Sequence, residues 1–387
     1  MRSATTDRVV PPTDGAPGQG DAPREAEPVP GGARAGVGPA AFTLDPRQPA
    51  DPAALVGVVV VEEVRAGGRR LFRKGHRLTA ADLAALPGVE RPFHAVRLGP
   101  DDVHEDAAGL RLAAAVGGQG VSARGPVQSR VNLVAATKGL LRVDADRVTA
   151  LNRLPGIAVF TLPDRLAVVP GKIVAGAKVT PVAVPEADLR AAEGLAGDGA
   201  GAVVEVKPFL PLRVGVITTE GLTGTLRERF RATVERKLGW YGARVLRFED
   251  LPDDVGAVAR AIEGLVGDGA DLILAGGGNT VDPLDPTLLA LPAVGAELVM
   301  FGAPAHPGSM FWLAERVASR TPIFNLASCS MYSQATVADL ILPWVMAGER
   351  VGPDDLAALG HGGLLDRGMA WRFPPYDADA ADEADEG

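Results

Sequence analysis

The sequence predicts an α/β protein with a mostly parallel sheet, preceded by a smaller α+β domain, and three observations carry that prediction. From Arg213 onward, apolar runs suited to buried strands alternate with stretches of helical periodicity, which is the rhythm of βαβ units. The composition is 47% hydrophobic but only 5% aromatic, with 48 glycines and 32 prolines, so the core rests on Ala, Val and Leu between many tight turns. Residues 270–287, ADLILAGGGNTVDPLDPT, run from an apolar strand into three glycines and then two aspartates, as at the ligand-bearing end of such a strand. A length of 387 residues allows roughly two or three domains of about 100–200 residues each.

Residues 1–40 are rich in Pro, Gly, Ala and mixed charge with almost no bulky apolar side chains, and are expected to be disordered. Residues 41–190 read as an α+β domain: short β-like runs such as LVGVVVVEEV, VNLVAA, GIAVFTL and KIVAGAKV, with helical patches at 79–86 and 106–116. Residues 191–211 read as the end of a short helix and a Gly/Ala linker.

Residues 212–351 are expected to form the α/β domain. Strands are expected at 213–218, 244–248, 272–275, 297–301 and 322–326. Leu226, Phe230, Val234 and Leu238 fall on one helical face, as do Val255, Val258, Ile262, Leu265 and Val266 in a helix capped by Asp253 or Asp254. A further helix is expected near Gln334, and right-handed crossovers lead the helices to cover both sheet faces. Residues 352–387 read as a C-terminal extension with an acidic tail, and no internal repeat is visible.

The formal net charge is −9, and the six tail acids from Asp377 to Glu386 account for most of it, leaving −3 for the rest. That balance lacks the basic footprint of a nucleic-acid binder. The longest apolar run falls far short of the roughly 18–20 residues that cross a bilayer, and the N-terminus shows no signal-peptide core. A single cysteine, Cys329, excludes an intramolecular disulfide and a multi-cysteine metal site. The expectation is a cytoplasmic protein without nucleic-acid or membrane partners.

Ligands of open parallel sheets gather outside the carboxyl ends of the strands. Four such ends are recognisable: Thr218-Thr219-Glu220-Gly221, residues 276–285, residues 303–309, and Ala327-Ser328-Cys329-Ser330. Gly276, Gly277 and Gly278 let backbone N–H groups face an anion. Asp282 and Asp285 would repel that anion unless a cation stood between, and Mg²⁺ is a hard ion bound by one or two carboxylates plus phosphate oxygens. Asp285-Pro286-Thr287 equally fits a helix N-cap with Pro at the first helical position. His306 lies on a candidate site loop, Cys329 reads as a small packed residue, and the acids of residues 101–106 read as complements to a helix N-terminus.

In order and spacing, the strand ending in Thr218-Thr219, the pair Asp253-Asp254, Gly276-Gly277, Asp285, Thr287, Pro307-Gly308 and Leu326 resemble the molybdopterin-binding domain of molybdopterin molybdotransferases and related adenylyltransferases. Upstream, residues 102–113, 131–144 and 151–163 resemble the N-terminal part of a bacterial subgroup of molybdopterin-binding proteins. The resemblance implies a three-layer α/β/α domain that binds molybdopterin or its adenylylated form. It further implies insertion of molybdate with release of AMP, assisted by Mg²⁺. Asp285 and Asp282 would be the catalytic and metal-holding residues. Gly276, Gly277 and Gly278, with Asn279 and Thr280, would cradle phosphate, while Thr218, Thr219, Pro307, Gly308, Ser309 and Ser328 would line the pterin or molybdate side.

The family's Thr-Gly-Asp-Glu turn stands here as Thr219-Glu220-Gly221-Leu222, and the lysine of its Pro-Gly-Lys loop as Ser309. Fewer than forty residues follow Gly348, too few for the C-terminal β-barrel of full-length molybdotransferases. A non-catalytic carrier or chaperone of the cofactor is therefore the alternative, and a nucleotide-binding α/β domain unrelated to molybdenum is the third. A molybdoenzyme or another cofactor-biosynthesis protein is the expected partner, and a homo-oligomer is expected by family analogy.

Overall fold

The computed structural model describes residues 39–47, 51–127, 129–180, 182–199, 201–219, 221–276, 282, 284–326 and 336–376. The expectations for residues 1–38, for the acidic tail and for Cys329 fall outside the described residues. Gly38–Gly387 forms one compact unit.

The α/β part is a six-stranded sheet. Its strands are β1 (Arg213–Thr218), β2 (Arg244–Asp250), β3 (Leu272–Gly276), β4 (Ala296–Phe301), β5 (Trp312–Arg316) and β6 (Pro322–Leu326). They lie in the order β2-β1-β3-β6-β5-β4. The first four neighbours run parallel, while β5 is antiparallel to β6, and β4 is antiparallel to β5.

Because side chains alternate across a strand, each apolar run feeds two cores. Val214 and Val216 of β1, Leu272 and Leu274 of β3, and Phe324 of β6 join one cluster. That cluster meets Phe230, Val234 and Leu238 of α1 (Gly224–Trp240) and the wholly buried α4 (Val337–Met346). Ile217, Ile273, Ala275 and Ile323 point the other way, onto Val258, Ala261, Ile262 and Leu265 of α2 (Val255–Gly267). Two short helices, α3 (Pro286–Leu289) and α5 (Pro353–Ala358), also belong to this part. The result is a three-layer α/β/α arrangement. Gly215 is required by this packing, since a Cβ there would come within 2.7 Å of Leu265.

Two details depart from expectation. Leu226 is 37% exposed, and the buried stripe of α1 includes Lys237 instead. β5 is an added strand, held by the Asn325 side chain, which accepts from the Trp312 amide at 2.7 Å.

The preceding α+β part has a four-stranded antiparallel sheet in the order Ile157–Thr161, Ile173–Val179, Arg130–Ala135, Val121–Val127. A further core lies between that sheet and the helices Glu105–Val116 and Glu186–Gly197. Ala40–Leu44, Phe93–Arg97 and Val59–Val60 form a small sheet with its own core. The stretch expected as a linker, 191–211, contains the rest of Glu186–Gly197 and the strand Val204–Pro208. That strand pairs with Gly139–Val143, so its Val204 and Val206 are buried completely.

The two parts are joined by buried side chains and charges. Leu140 enters the core of the α/β part. Glu349, 10% exposed, receives Arg142 and Lys207, and Asp355 receives Arg165 at 2.7 Å. Lys138 donates to the Trp240 carbonyl at 2.9 Å and lies over its ring.

Candidate functional site

Four parallel strands end at one level: Asp250 of β2, Thr218 of β1, Gly276 of β3 and Leu326 of β6 are successive register partners. The Thr219 amide donates to the Gly276 carbonyl at 3.1 Å, and the Leu251 amide to the Thr218 carbonyl at 2.8 Å, closing the strand ends. Thr218 is only 3% exposed, so its hydroxyl is enclosed, whereas Thr219 is half-buried. A Cβ on Gly276 would lie 3.2 Å from Phe230 of α1, which explains a small residue where β3 leaves the sheet.

Asp285 caps α3. Its Oδ1 accepts from the Thr287 amide at 2.8 Å and from the Thr287 hydroxyl at 2.5 Å, and the residue is 5% exposed. Asp282 Oδ1 accepts from the Leu284 amide at 2.9 Å, and the Asp285 amide donates to the Asp282 carbonyl at 3.0 Å. The cap foreseen in Asp-Pro-Thr is thus present. These local bonds use Oδ1 of each carboxylate. Among the described residues no group of three or more His, Cys, Asp or Glu side chains could hold a metal. Gly277, Gly278, Asn279, Thr280 and Ser328 lie outside the described residues.

The loop from β4 to β5 reaches the same sheet edge, because Trp312 at the start of β5 lies beside Asn325. Gly308 has φ +108°, and a Cβ there would approach the Val337 amide to 2.8 Å. That amide donates to the Pro307 carbonyl at 3.3 Å, tying the loop to the first residue of α4. On its other side, the His306 amide donates to the Gly363 carbonyl and the His306 carbonyl accepts from the Leu365 amide, both at 2.8 Å, so the C-terminal segment braces the loop. Ser309 is exposed.

Beneath the strand ends, a small cavity lies between α1 and α4, lined by Phe230, Thr233, Lys237, Leu274, Leu326 and Asp339. Lys237 Nζ donates to Asp339 Oδ1 at 2.7 Å, and the Tyr376 hydroxyl donates to the same oxygen at 2.9 Å. Asp339 Oδ2 takes the Thr336 amide at 2.8 Å, completing the N-cap of α4. Burial pushes the phenols of Tyr241 and Tyr376 well above the usual range, and the charge of Asp339 adds to the effect.

Sequence reading did not single out Lys237, Asp339 or the ion pair between Arg227 and Asp250 at the end of β2. The partners of the first pair are 102 residues apart, so no local pattern announces them. Asp250 directly follows a strand run and was in principle visible. The acids of residues 101–106 do not converge: Asp102 accepts from the Gly99 amide, Asp106 from the Ser129 amide, and His104 caps Glu105–Val116. Asp254 likewise caps α2, accepting from the Ala257 amide at 2.7 Å.

Residues 214–347 match the family model described as "probable molybdopterin binding domain". Among solved structures, the molybdopterin biosynthesis enzyme MoaB of Thermus thermophilus is 20% identical, over 39% of this chain and 97% of that one, with a TM-score of 0.27. The tungsten cofactor synthesizing protein MoaB of Pyrococcus furiosus is 20% identical, over 35% and 92%, with a TM-score of 0.29. The molybdopterin biosynthesis Mog protein of Mycobacterium ulcerans is 19% identical, over 35% and 95%, with a TM-score of 0.26. No curated protein matches significantly. No helix among the described residues is long and apolar enough to cross a membrane.

Proposed function

We propose, taking the molybdopterin-binding family of residues 214–347 as premise, that the protein binds molybdopterin or its adenylylated form at the carboxyl ends of β1, β3 and β6 and acts in molybdenum cofactor biosynthesis. One observation carries this reading: the matched segment spans every loop that the sheet gathers at that edge, from Thr218 through Asp285 and Gly308 to Val337. Ligands of open α/β sheets bind at such an edge. Gly276 and Gly308 let the end of β3 and the β4–β5 loop pack closely on Phe230 and Val337, which fixes the edge that a flat, phosphorylated ligand would meet.

Adenylylated molybdopterin is the form whose diphosphate calls for Mg²⁺, and the second carboxylate oxygens of Asp282 and Asp285 would hold that ion together with phosphate oxygens and water. When bound, the ion would neutralise charge on the diphosphate. Asp285 is held in place by two bonds from Thr287, so it would present its remaining oxygen without reorganisation.

Incubation with adenylylated molybdopterin, molybdate and Mg²⁺, following AMP release, tests the chemistry. Molybdate-dependent AMP release that Asp285→Asn abolishes while pterin binding persists is the expected result. Retention of the pterin with no AMP release would give the site to a carrier. Tight binding of ATP or AMP without molybdopterin would favour a nucleotide-binding domain unrelated to molybdenum.

A further inference from the structure

The candidate site is bordered by acids. Asp250 ends β2, Asp253 follows it on the surface, and Asp282 and Asp285 follow β3. A phosphorylated ligand entering between them meets like charge from both sides. A cation held by Asp282 and Asp285 would answer only the β3 side.

On the other side stands Arg227, in the first turn of α1, paired with Asp250. Asp250 is the register partner of Thr218, which is in turn the partner of Gly276. Adjacent strands are about 4.8 Å apart, so Asp250 lies about 10 Å from the Gly276 backbone across the sheet. Arg227 is therefore anchored two strands from Gly276, at the height where the strands end. The side chains of the pair are 47% and 28% exposed, so the pair contributes little to stability and exchanges partners readily. Other arginines of α1 are placed differently: Arg231 stacks on Phe248, and Arg229 is exposed on another face of the helix.

We infer that Arg227 is an anion-binding residue of this site, its guanidinium donating to a phosphate of the ligand while Asp250 holds it at the strand ends. Guanidinium offers paired N–H donors matched to phosphate oxygens, a geometry that lysine lacks. The identity of the ligand rests on the proposed function, whereas the anion site does not.

The test titrates the full-length protein and its Arg227→Gln, Arg227→Lys and Arg229→Gln variants with molybdopterin and separately with inorganic pyrophosphate. Circular dichroism and thermal unfolding confirm that each variant is folded. The expected result is about tenfold weaker binding of both probes by Arg227→Gln and a smaller loss in Arg227→Lys. Arg229→Gln should bind as the wild type does, and added salt should weaken the wild type more than Arg227→Gln. Equal affinity of wild type and Arg227→Gln for both probes overturns the inference and leaves the proposed function standing. Binding of pyrophosphate but not molybdopterin by the wild type, with the loss in Arg227→Gln, retains the anion site and removes the molybdopterin reading. Failure to bind either probe overturns both.

Discussion

Replacing Lys237 by Met probes the polar cluster on which the site rests. The lysine and Asp339 side chains are 11% and 3% exposed and meet at 2.7 Å, so removing either partner leaves a charge enclosed among Phe230, Leu274 and Leu342. Breaking such a pair costs about 3–5 kcal/mol. Lys237→Met should lie near the lower end, because Asp339 keeps the Thr336 amide and the Tyr376 hydroxyl. Asp339→Ala strands the lysine and also removes the cap of α4, worth about 1 kcal/mol more. Against a total stability of about 5–15 kcal/mol, that variant should be close to unfolding. The double variant Lys237→Met/Asp339→Asn carries no buried charge, and its amide oxygen can still accept from Thr336. It should cost less than Asp339→Ala and less than the sum of its parts. Urea unfolding of the wild type, Lys237→Met, Asp339→Ala, Asp339→Asn and the double variant measures these differences. Single losses below about 1 kcal/mol, or strict additivity in the double variant, would refute the reasoning.

Three further outcomes are expected. Gly308→Ala should lose about 1–3 kcal/mol in urea unfolding and weaken pterin binding, because its φ of +108° is strained for a side chain and its Cβ would crowd the Val337 amide at 2.8 Å. Asp285→Ala should lose about 0.5–2 kcal/mol without any metal present, through its cap alone, while Asp285→Ser should recover most of that stability and none of the Mg²⁺ dependence. The phenols of Tyr241 and Tyr376 are raised by burial, so their contribution to stability is complete below the unfolded value of about 10 and is lost as pH rises beyond it. Phenolate absorbance should therefore show two of the three tyrosines ionising only together with alkaline unfolding; independent titration near pH 10 would contradict the burial argument.

The parallel core was legible because strands buried on both faces must be apolar almost throughout, as in LILA at residues 272–275. The cap at Asp285 was legible for a similar reason, since Asp-Pro-Thr acts within three residues. β5 was not. Its sequence WLAER carries a mixed pattern, and its start is fixed by Asn325, thirteen residues later. Val204–Pro208 hid inside a Gly/Ala stretch because its partner, Gly139–Val143, lies in another part of the chain. Lys237 and Asp339 defied reading because charged side chains are ordinarily solvated, and only the tertiary pairing makes burial tolerable. Around the strand ends, local sequence announced the caps made by Asp254 and Asp285, while the brace on His306 by residues 363–365 depends on a long return of the chain.

Gel filtration of the purified full-length chain after mixing with molybdopterin, with the pterin followed by fluorescence, tests the central claim most directly. Co-elution of pterin with protein, reduced in Gly308→Ala and competed by excess molybdopterin but not by a pterin lacking the phosphate, is the predicted result. Elution of all the pterin in the small-molecule volume, with the protein folded and monodisperse, would contradict the account.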